Sequence, residues 1–181
     1  FYLPDMNERL QKRLEREAQL RGALERDEYR LHFQPKVNLR SGAISGFEAL
    51  LRWEHGGRLV PPAEFIPILE YTGLIVPVGE WVVRSVCQQI KRWEKQRLAV
   101  QPVAINLSAR QFQRANLVEA IGRITRETGV APGLLELELT ETLLMSDAEE
   151  AVETLRKLKA LGVRLAVDDF GTGYSSLAYL K

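Results

Sequence analysis

The chain has 181 residues, of which 45% are hydrophobic and 27% charged, a balance typical of a globular domain and unlike a disordered or collagen-like chain. Its 25 basic and 24 acidic residues leave a net charge of +1, which disfavours binding of a long nucleic acid by electrostatics alone. The single cysteine, Cys87, excludes a disulfide framework and a cysteine-rich zinc site, and no stretch approaches the ~20 apolar residues of a membrane span. The near-neutral charge still allows binding of a small anionic ligand, because such a site needs only local positive charge.

The first predicted element is a charged helix. The segment of residues 7–28 is rich in Arg, Glu, Gln and Leu and contains no Pro. Apolar residues recur at a spacing of four, at Met6, Leu10, Leu14 and Ala18. This periodicity predicts a narrow apolar stripe. Two interpretations are open: a solvated helix packed on the domain, or a signalling linker that joins an upstream domain or pairs with a second copy.

Beyond residue 28, predicted strands and helices alternate. The strands are predicted at residues 29–37, 44–53, 103–106, 135–140 and 163–168, and the helices at 63–72, 79–96, 117–128 and 147–161. A short turn with Asn, Ser and Gly joins the first two strands, which are therefore expected to be antiparallel neighbours. The later strand–helix–strand order predicts parallel strands covered by helices.

The predicted fold class is α/β. No GxGxxG motif follows a strand, which disfavours a dinucleotide-binding fold. A (β/α)₈ barrel fits the alternation better, but such barrels typically need ~250 residues. About five strands are predicted here, so we expect the N-terminal portion of a larger barrel domain.

Oxygen-bearing side chains gather at the predicted carboxyl ends of the strands, where barrel enzymes collect their functional residues. In chain order they are Glu48, Asn106, Glu138, Glu141, Asp168 and Asp169. A donor set without Cys or His suits Mg²⁺ or Mn²⁺ and not zinc. Two such cations ~3.5–4 Å apart would form a phosphoester-cleaving arrangement. For any single acid, pairing with Arg or capping a helix is the alternative.

The strand of residues 135–140 makes this prediction most clearly. Its leucines should point to the covering helices, so that Glu136, Glu138 and Thr140 point to the interior. Buried, unpaired carboxylates are costly, and a metal ion is one natural partner.

Arg52 lies four residues after Glu48, on the same face of its predicted strand. Its guanidinium is therefore placed to clamp a phosphate near the metals. An ion pair with a core acid is the alternative. His32 and His55 have no partners at a metal-binding spacing, and we expect both to be structural.

An ordered set of motifs resembles the EAL domain family of cyclic-di-GMP phosphodiesterases. The run FEALLRW at residues 47–53 is similar to the family signature. The other matches are Gln34-Pro35, INLS at 105–108, ELTE at 138–141 and DDFGTG at 168–173. Residues 1–7 resemble the tail of a GGDEF domain, followed by the helix that often links GGDEF to EAL.

The resemblance implies a TIM-like barrel whose first strand is antiparallel to the others, in agreement with the predicted hairpin. It also implies hydrolysis of cyclic-di-GMP to linear pGpG with two Mg²⁺ or Mn²⁺ ions. The implied metal ligands are Glu48, Asn106, Glu138, Asp168 and Asp169. Gln34 and Arg52 resemble substrate contacts, and Glu141 resembles the anchor of the loop at 169–176, which couples dimerisation to metal binding in the family.

The expected organisation is a GGDEF tail at residues 1–7, a linker helix at 8–28 and a C-terminally incomplete EAL domain at 29–181. The water-activating lysine of the family lies on a strand beyond Lys181, so the parent domain is expected to be active and this stretch alone inactive. A cyclic-di-GMP receptor without catalysis is the alternative, although Glu48, Asp168 and Asp169 favour the enzyme. We expect a homodimer in the cytoplasm, with an upstream GGDEF or sensory domain and any membrane anchor in other regions of the parent protein.

Overall fold

Six strands form one mixed sheet in the described part of the chain, residues 4–140 and 148–168 of a computed structural model. The strands are β1 (Tyr29–Val37), β2 (Ile44–His55), β3 (Arg58–Val60), β4 (Val103–Leu107), β5 (Leu135–Thr140) and β6 (Arg164–Asp168). The helices are α1 (Pro4–Arg21), α2 (Pro62–Thr72), α3 (Ile75–Lys95), α4 (Ala109–Phe112), α5 (Leu117–Thr128) and α6 (Ala148–Ala160). A 3₁₀ turn, Pro132–Leu134, precedes β5.

The strand order is β1-β2-β4-β5-β6, with β3 paired to β2. Strand β1 is antiparallel to β2, whereas β2, β4, β5 and β6 are parallel to one another. The β1–β2 turn is closed by the Asn38 side chain, whose Oδ1 accepts hydrogen bonds from the backbone of Arg40 and Ser41. Gly42, at φ 69°, takes a conformation that favours glycine. The predicted antiparallel first pair is thus confirmed.

Alternation along β5 separates the core from the inner face of the sheet. Leu135, Leu137 and Leu139 are buried on the helix-covered side, against a core to which α3 contributes Val82, Val86 and Ile90. Glu136 and Glu138 occupy the intervening positions. The period of two therefore predicts correctly which residues of β5 avoid the core.

Helices α2 and α3 follow one another at a sharp bend. Gly73, at φ 81°, ends α2, and its N–H donates to the carbonyl of Glu70. Helix α3 begins at Ile75, four residues before the predicted start, and Pro77 lies in its first turn, where a backbone N–H is not required. In the described ranges, no single helix has both the length and the apolar composition of a membrane span. Helices α2 and α3 reach that length and composition only when they are counted together, and they are bent by 118° with respect to each other.

Helix α1 ends at Arg21 and not at residue 28 as predicted. Residues 22–27 form turns in which Arg26 donates to the carbonyl of Gln19, and Asp27 takes a positive φ of 52°. Leu20 and Ala23 are buried in the core. The C-terminal part of α1 thus packs on the domain, and its role as a signalling linker stays a prediction.

Candidate functional site

Three of the predicted metal ligands lie on neighbouring strands of the inner face. Glu48 is on β2, Asn106 on β4 and Glu138 on β5. The Nδ2 atom of Asn106 donates a 2.7 Å hydrogen bond to Oε1 of Glu48. Asn106 and Glu138 are register partners in the parallel β4–β5 pair. The fold therefore gathers two carboxylates and one amide that are up to 90 residues apart in the sequence.

Glu138 has a cationic partner that the sequence analysis missed. The Nζ atom of Lys36 donates to Oε1 of Glu138 and, at 3.1 Å, to Oε1 of Glu136. Burial opposes the charged ammonium, but the hydrogen bonds to Glu138 and Glu136 outweigh it and raise the pKa of Lys36. Both carboxylates thus have a protein partner, a lysine and not the arginine that the sequence analysis named as the alternative to a metal. The alternation of side chains along a strand could have revealed this contact, because Lys36 lies two residues after Gln34 and therefore on the same face of β1.

Gln34 and Asp168 occupy the two ends of this row of strands. Gln34 is the register partner of Glu48 in the β1–β2 pair. Asp168 is exposed at the end of β6, opposite Thr140, two residues past Glu138 on β5. The predicted residues Glu141 and Asp169 and the loop at 169–176 lie outside the described residues.

The side chain of Arg52 bonds to the backbone of its own strand. Its Nη1 atom donates at 2.9 Å to the carbonyl of Leu51. Within the described ranges Arg52 forms no ion pair, so the alternative of a core ion pair is not found there. His55 lies away from the inner face of the sheet and has contacts typical of a structural histidine. Its ring stacks on Trp53, and its Nδ1 lies 3.2 Å from Oε2 of Glu28.

A cavity of about 310 Å³ opens beside these residues. Arg52, Asn106, Glu138 and Thr140 are among the residues that line it, together with apolar residues of α2 and α3. Few convergent polar groups on a largely apolar wall are typical of a small-molecule site. Arg52 and Glu138 line the same cavity, and a guanidinium and a carboxylate are groups that suit a phosphate and a hard cation respectively.

The donor chemistry of this face fits a hard divalent cation. In residues 4–140 and 148–168, no group of three or more His, Cys, Asp or Glu side chains is close enough to hold a metal. The predicted set, however, also uses the amide of Asn106 and includes Asp169 outside those ranges. All members of this predicted set offer oxygen atoms as ligands, which suits a hard cation. Glu138 already forms an ion pair with a cation, the ammonium of Lys36.

An antiparallel first strand followed by the parallel strands β2, β4, β5 and β6, with helices on one side, is the N-terminal portion of an α/β domain of the TIM-like barrel class. Residues 17–181 match the EAL domain family, and the chain belongs to this family. The match begins inside α1. It confirms the family inferred from the motifs.

Two curated relatives and one solved structure show the extent of the similarity. The bifunctional diguanylate cyclase/cyclic di-GMP phosphodiesterase MucR of Pseudomonas aeruginosa is 45% identical over 182 residues, covering 100% of this chain and 27% of the relative. The cyclic di-GMP phosphodiesterase PdeR of Escherichia coli is 38% identical over 180 residues, covering 99% and 27%. The PaMucR phosphodiesterase in complex with c-di-GMP has a TM-score of 0.87 at 46% identity, covering 92% of this chain and 68% of that one. The chain spans about a quarter of the length of these curated relatives.

Proposed function

We propose that the full-length protein is a phosphodiesterase that hydrolyses cyclic-di-GMP to linear pGpG with two Mg²⁺ or Mn²⁺ ions. The observation that carries the proposal is the contact of Asn106 with Glu48 beside Glu138, on the inner face of an EAL domain. The names of the relatives MucR and PdeR support the same substrate.

Glu48, Asn106, Glu138 and Asp168 would hold the cations, together with Asp169. When bound, such cations supply Lewis acidity at a phosphoryl oxygen and lower the pKa of a bound water. The amide of Asn106 orients the Glu48 carboxylate through its hydrogen bond. Because this contact joins β2 to β4, the positions of two ligands are set by the sheet and not by a loop.

Arg52 and Gln34 would bind the substrate. Arg52 lines the cavity beside Asn106 and Glu138, and a guanidinium can bind two phosphate oxygens at once. Gln34 is the register partner of Glu48 and offers both a donor and an acceptor to a nucleotide base or a phosphate. Binding at these positions would bring the scissile phosphodiester to the carboxylates.

The decisive experiment incubates the full-length protein with cyclic-di-GMP and Mg²⁺, followed by chromatography for pGpG. The matched control is the same incubation with EDTA. Formation of pGpG only with Mg²⁺ is the expected result. Cyclic-di-GMP binding, measured by calorimetry, without any pGpG would refute the phosphodiesterase and identify a receptor.

A further inference from the structure

Lys36 crosses the inner face of the sheet to reach its partners. Its register partner on β2 is Gly46, and a Cβ atom built on Gly46 would lie 3.9 Å from Cδ of Lys36 and 3.0 Å from the carbonyl oxygen of Pro102. On β4 the small residue Ala104 stands opposite Glu136. Small residues on the two intervening strands thus leave room for the lysine stem between β1 and β5.

The ammonium of Lys36 is shared by two carboxylates that are not equally exposed. The side chain of Glu138 is 11% exposed, that of Glu136 is 25% exposed and that of Lys36 is 36% exposed. A bare carboxylate is therefore most costly at Glu138. Glu138, whose Oε1 accepts from Lys36, is also one of the residues proposed to hold the cations.

We propose that Lys36 is a positioning residue of the cation site, whose ammonium neutralises Glu138 before metal binds and is held by Glu136 once a divalent cation occupies Glu138. This inference rests on the proposed function in one respect, the use of Glu138 as a metal ligand. Glu136 then has a role of its own, because it keeps the displaced ammonium paired.

The exchange predicts that substitutions of Lys36 and of Glu136 change metal affinity in opposite directions. Lys36→Met removes the competing cation, so metal should bind more tightly although the metal-free protein loses stability. Glu136→Gln removes the alternative carboxylate, so Lys36 stays on Glu138 and metal should bind more weakly. A purely structural role would lower stability in both variants without this reversal of sign.

The test is calorimetric titration of the full-length protein with Mn²⁺ alone, with melting temperatures of the metal-free and Mn²⁺-loaded forms. We expect Mn²⁺ affinity to rise about tenfold in Lys36→Met and to fall about tenfold in Glu136→Gln, a size within the range of measured coupling between two interacting binding events in a protein. In the double variant, Glu136→Gln should lose most of its effect, since there is no ammonium left to hold. Lys157→Met is the matched control, because Lys157 forms an exposed pair with Glu153 on α6.

Equal Mn²⁺ affinities in the wild type and both single variants would overturn the inference. So would changes of the same sign in the two variants. Hydrolysis by the wild type with unchanged variant affinities would remove the role of Lys36 and leave the proposed function intact. Opposite shifts in a protein that forms no pGpG would support the role of Lys36 and refute the phosphodiesterase. A wild type that binds no Mn²⁺ would overturn both proposals.

Discussion

The amide nitrogen of Asn106 donates a 2.7 Å hydrogen bond to the carboxylate of Glu48, joining the inner faces of β4 and β2. An amide has one oxygen and one nitrogen, and this contact uses the nitrogen of Asn106, so its oxygen is not engaged by Glu48. A cation between Asn106 and Glu138 would use that oxygen. In the proposed site, Asn106 and Glu138 would need no change of strand position to share such a cation, because they are register partners.

Substitution of Glu48 by Ala should abolish hydrolysis. The change removes a proposed metal ligand and leaves the amide of Asn106 without its acceptor. Loss of a residue that merely supports a ligand costs about 10- to 100-fold in metal affinity or activity, so we expect a decrease in kcat of at least ~100-fold. The measurement is pGpG formation at saturating cyclic-di-GMP and Mg²⁺.

Glu54→Ala is the control for this change, because Glu54 lies on the same strand at an exposed position near Arg30. It should leave kcat unchanged. Near-normal turnover by Glu48→Ala would show that Glu48 is not a metal ligand.

Mg²⁺ and Mn²⁺ should support turnover, whereas Ca²⁺ should bind without supporting it. All proposed ligands are oxygens, which bind each of these cations, but Ca²⁺ takes longer bonds and a looser geometry. The nucleophilic water would then be misplaced relative to phosphorus. Parallel assays of pGpG formation and of cation binding by calorimetry test this, and robust turnover with Ca²⁺ as the only cation would contradict the site.

Arg52→Ala should act mainly on substrate binding. In the described residues Arg52 forms no ion pair and lines the cavity, so its loss removes a phosphate contact without unpairing an acid. We expect KM to rise about tenfold or more with kcat little changed, the pattern of a lost ground-state contact. Arg52→Lys should recover only part of the affinity, because an ammonium cannot form the two-point contact.

The comparison variant is Arg58→Ala, which removes an exposed arginine of β3. Its KM should equal that of the wild type. A fall in kcat at constant KM in Arg52→Ala would assign Arg52 to the chemical step instead.

Periodicity was sufficient to predict the elements that carry the candidate site. The bounds of β1 and β5 agree with the prediction, because alternation of apolar and polar residues is uninterrupted in β5 and turn residues follow β1. Helix α5 also agrees, since Gly129, at φ 67°, stops it where glycine is favoured. Strand β3 was not predicted, because three residues carry no periodicity and the strand exists only through its pairing with β2.

The role of Lys36 depends on information that no local pattern contains. Its two acceptors are 100 and 102 residues away, on a strand reached only across β2 and β4. The contact requires the strand order, the register and the small side chains at Gly46 and Ala104 together. Sequence alone predicted the oxygen donors of the site, but not the cation that already pairs with one of them.

Glu28 should make the stability of the domain depend on acidic pH. Its carboxylate accepts hydrogen bonds from Arg26 at 2.6 Å and from Nε1 of Trp53 at 2.9 Å, where the turn after α1 meets β2. The hydrogen bond from Arg26 is the largest cause, and with Trp53 and His55 it outweighs burial and lowers the pKa of Glu28 from 4.5 to about 2. A lowered pKa in the folded state stabilises the fold above the unfolded value, and this stabilisation is lost as pH falls from 4.5 toward 2.

Glu28→Gln tests this linkage, because the amide keeps an acceptor but removes the charge. We expect the variant to lose about 2 kcal/mol of unfolding free energy at pH 7, as hydrogen bonds to charged groups typically contribute about 1.5–3 kcal/mol. Urea unfolding at several pH values should show the difference from the wild type constant down to about pH 5 and shrinking below it, as the Glu28 carboxylate of the unfolded wild-type chain takes up a proton while that of the folded protein is still ionised. The exposed neighbour Glu25 supplies the control, Glu25→Gln, which should leave the unfolding free energy within about 0.5 kcal/mol of the wild type at pH 7. A difference between Glu28→Gln and the wild type that stays constant between pH 5 and pH 3 would show that the charge of Glu28 does not stabilise this junction.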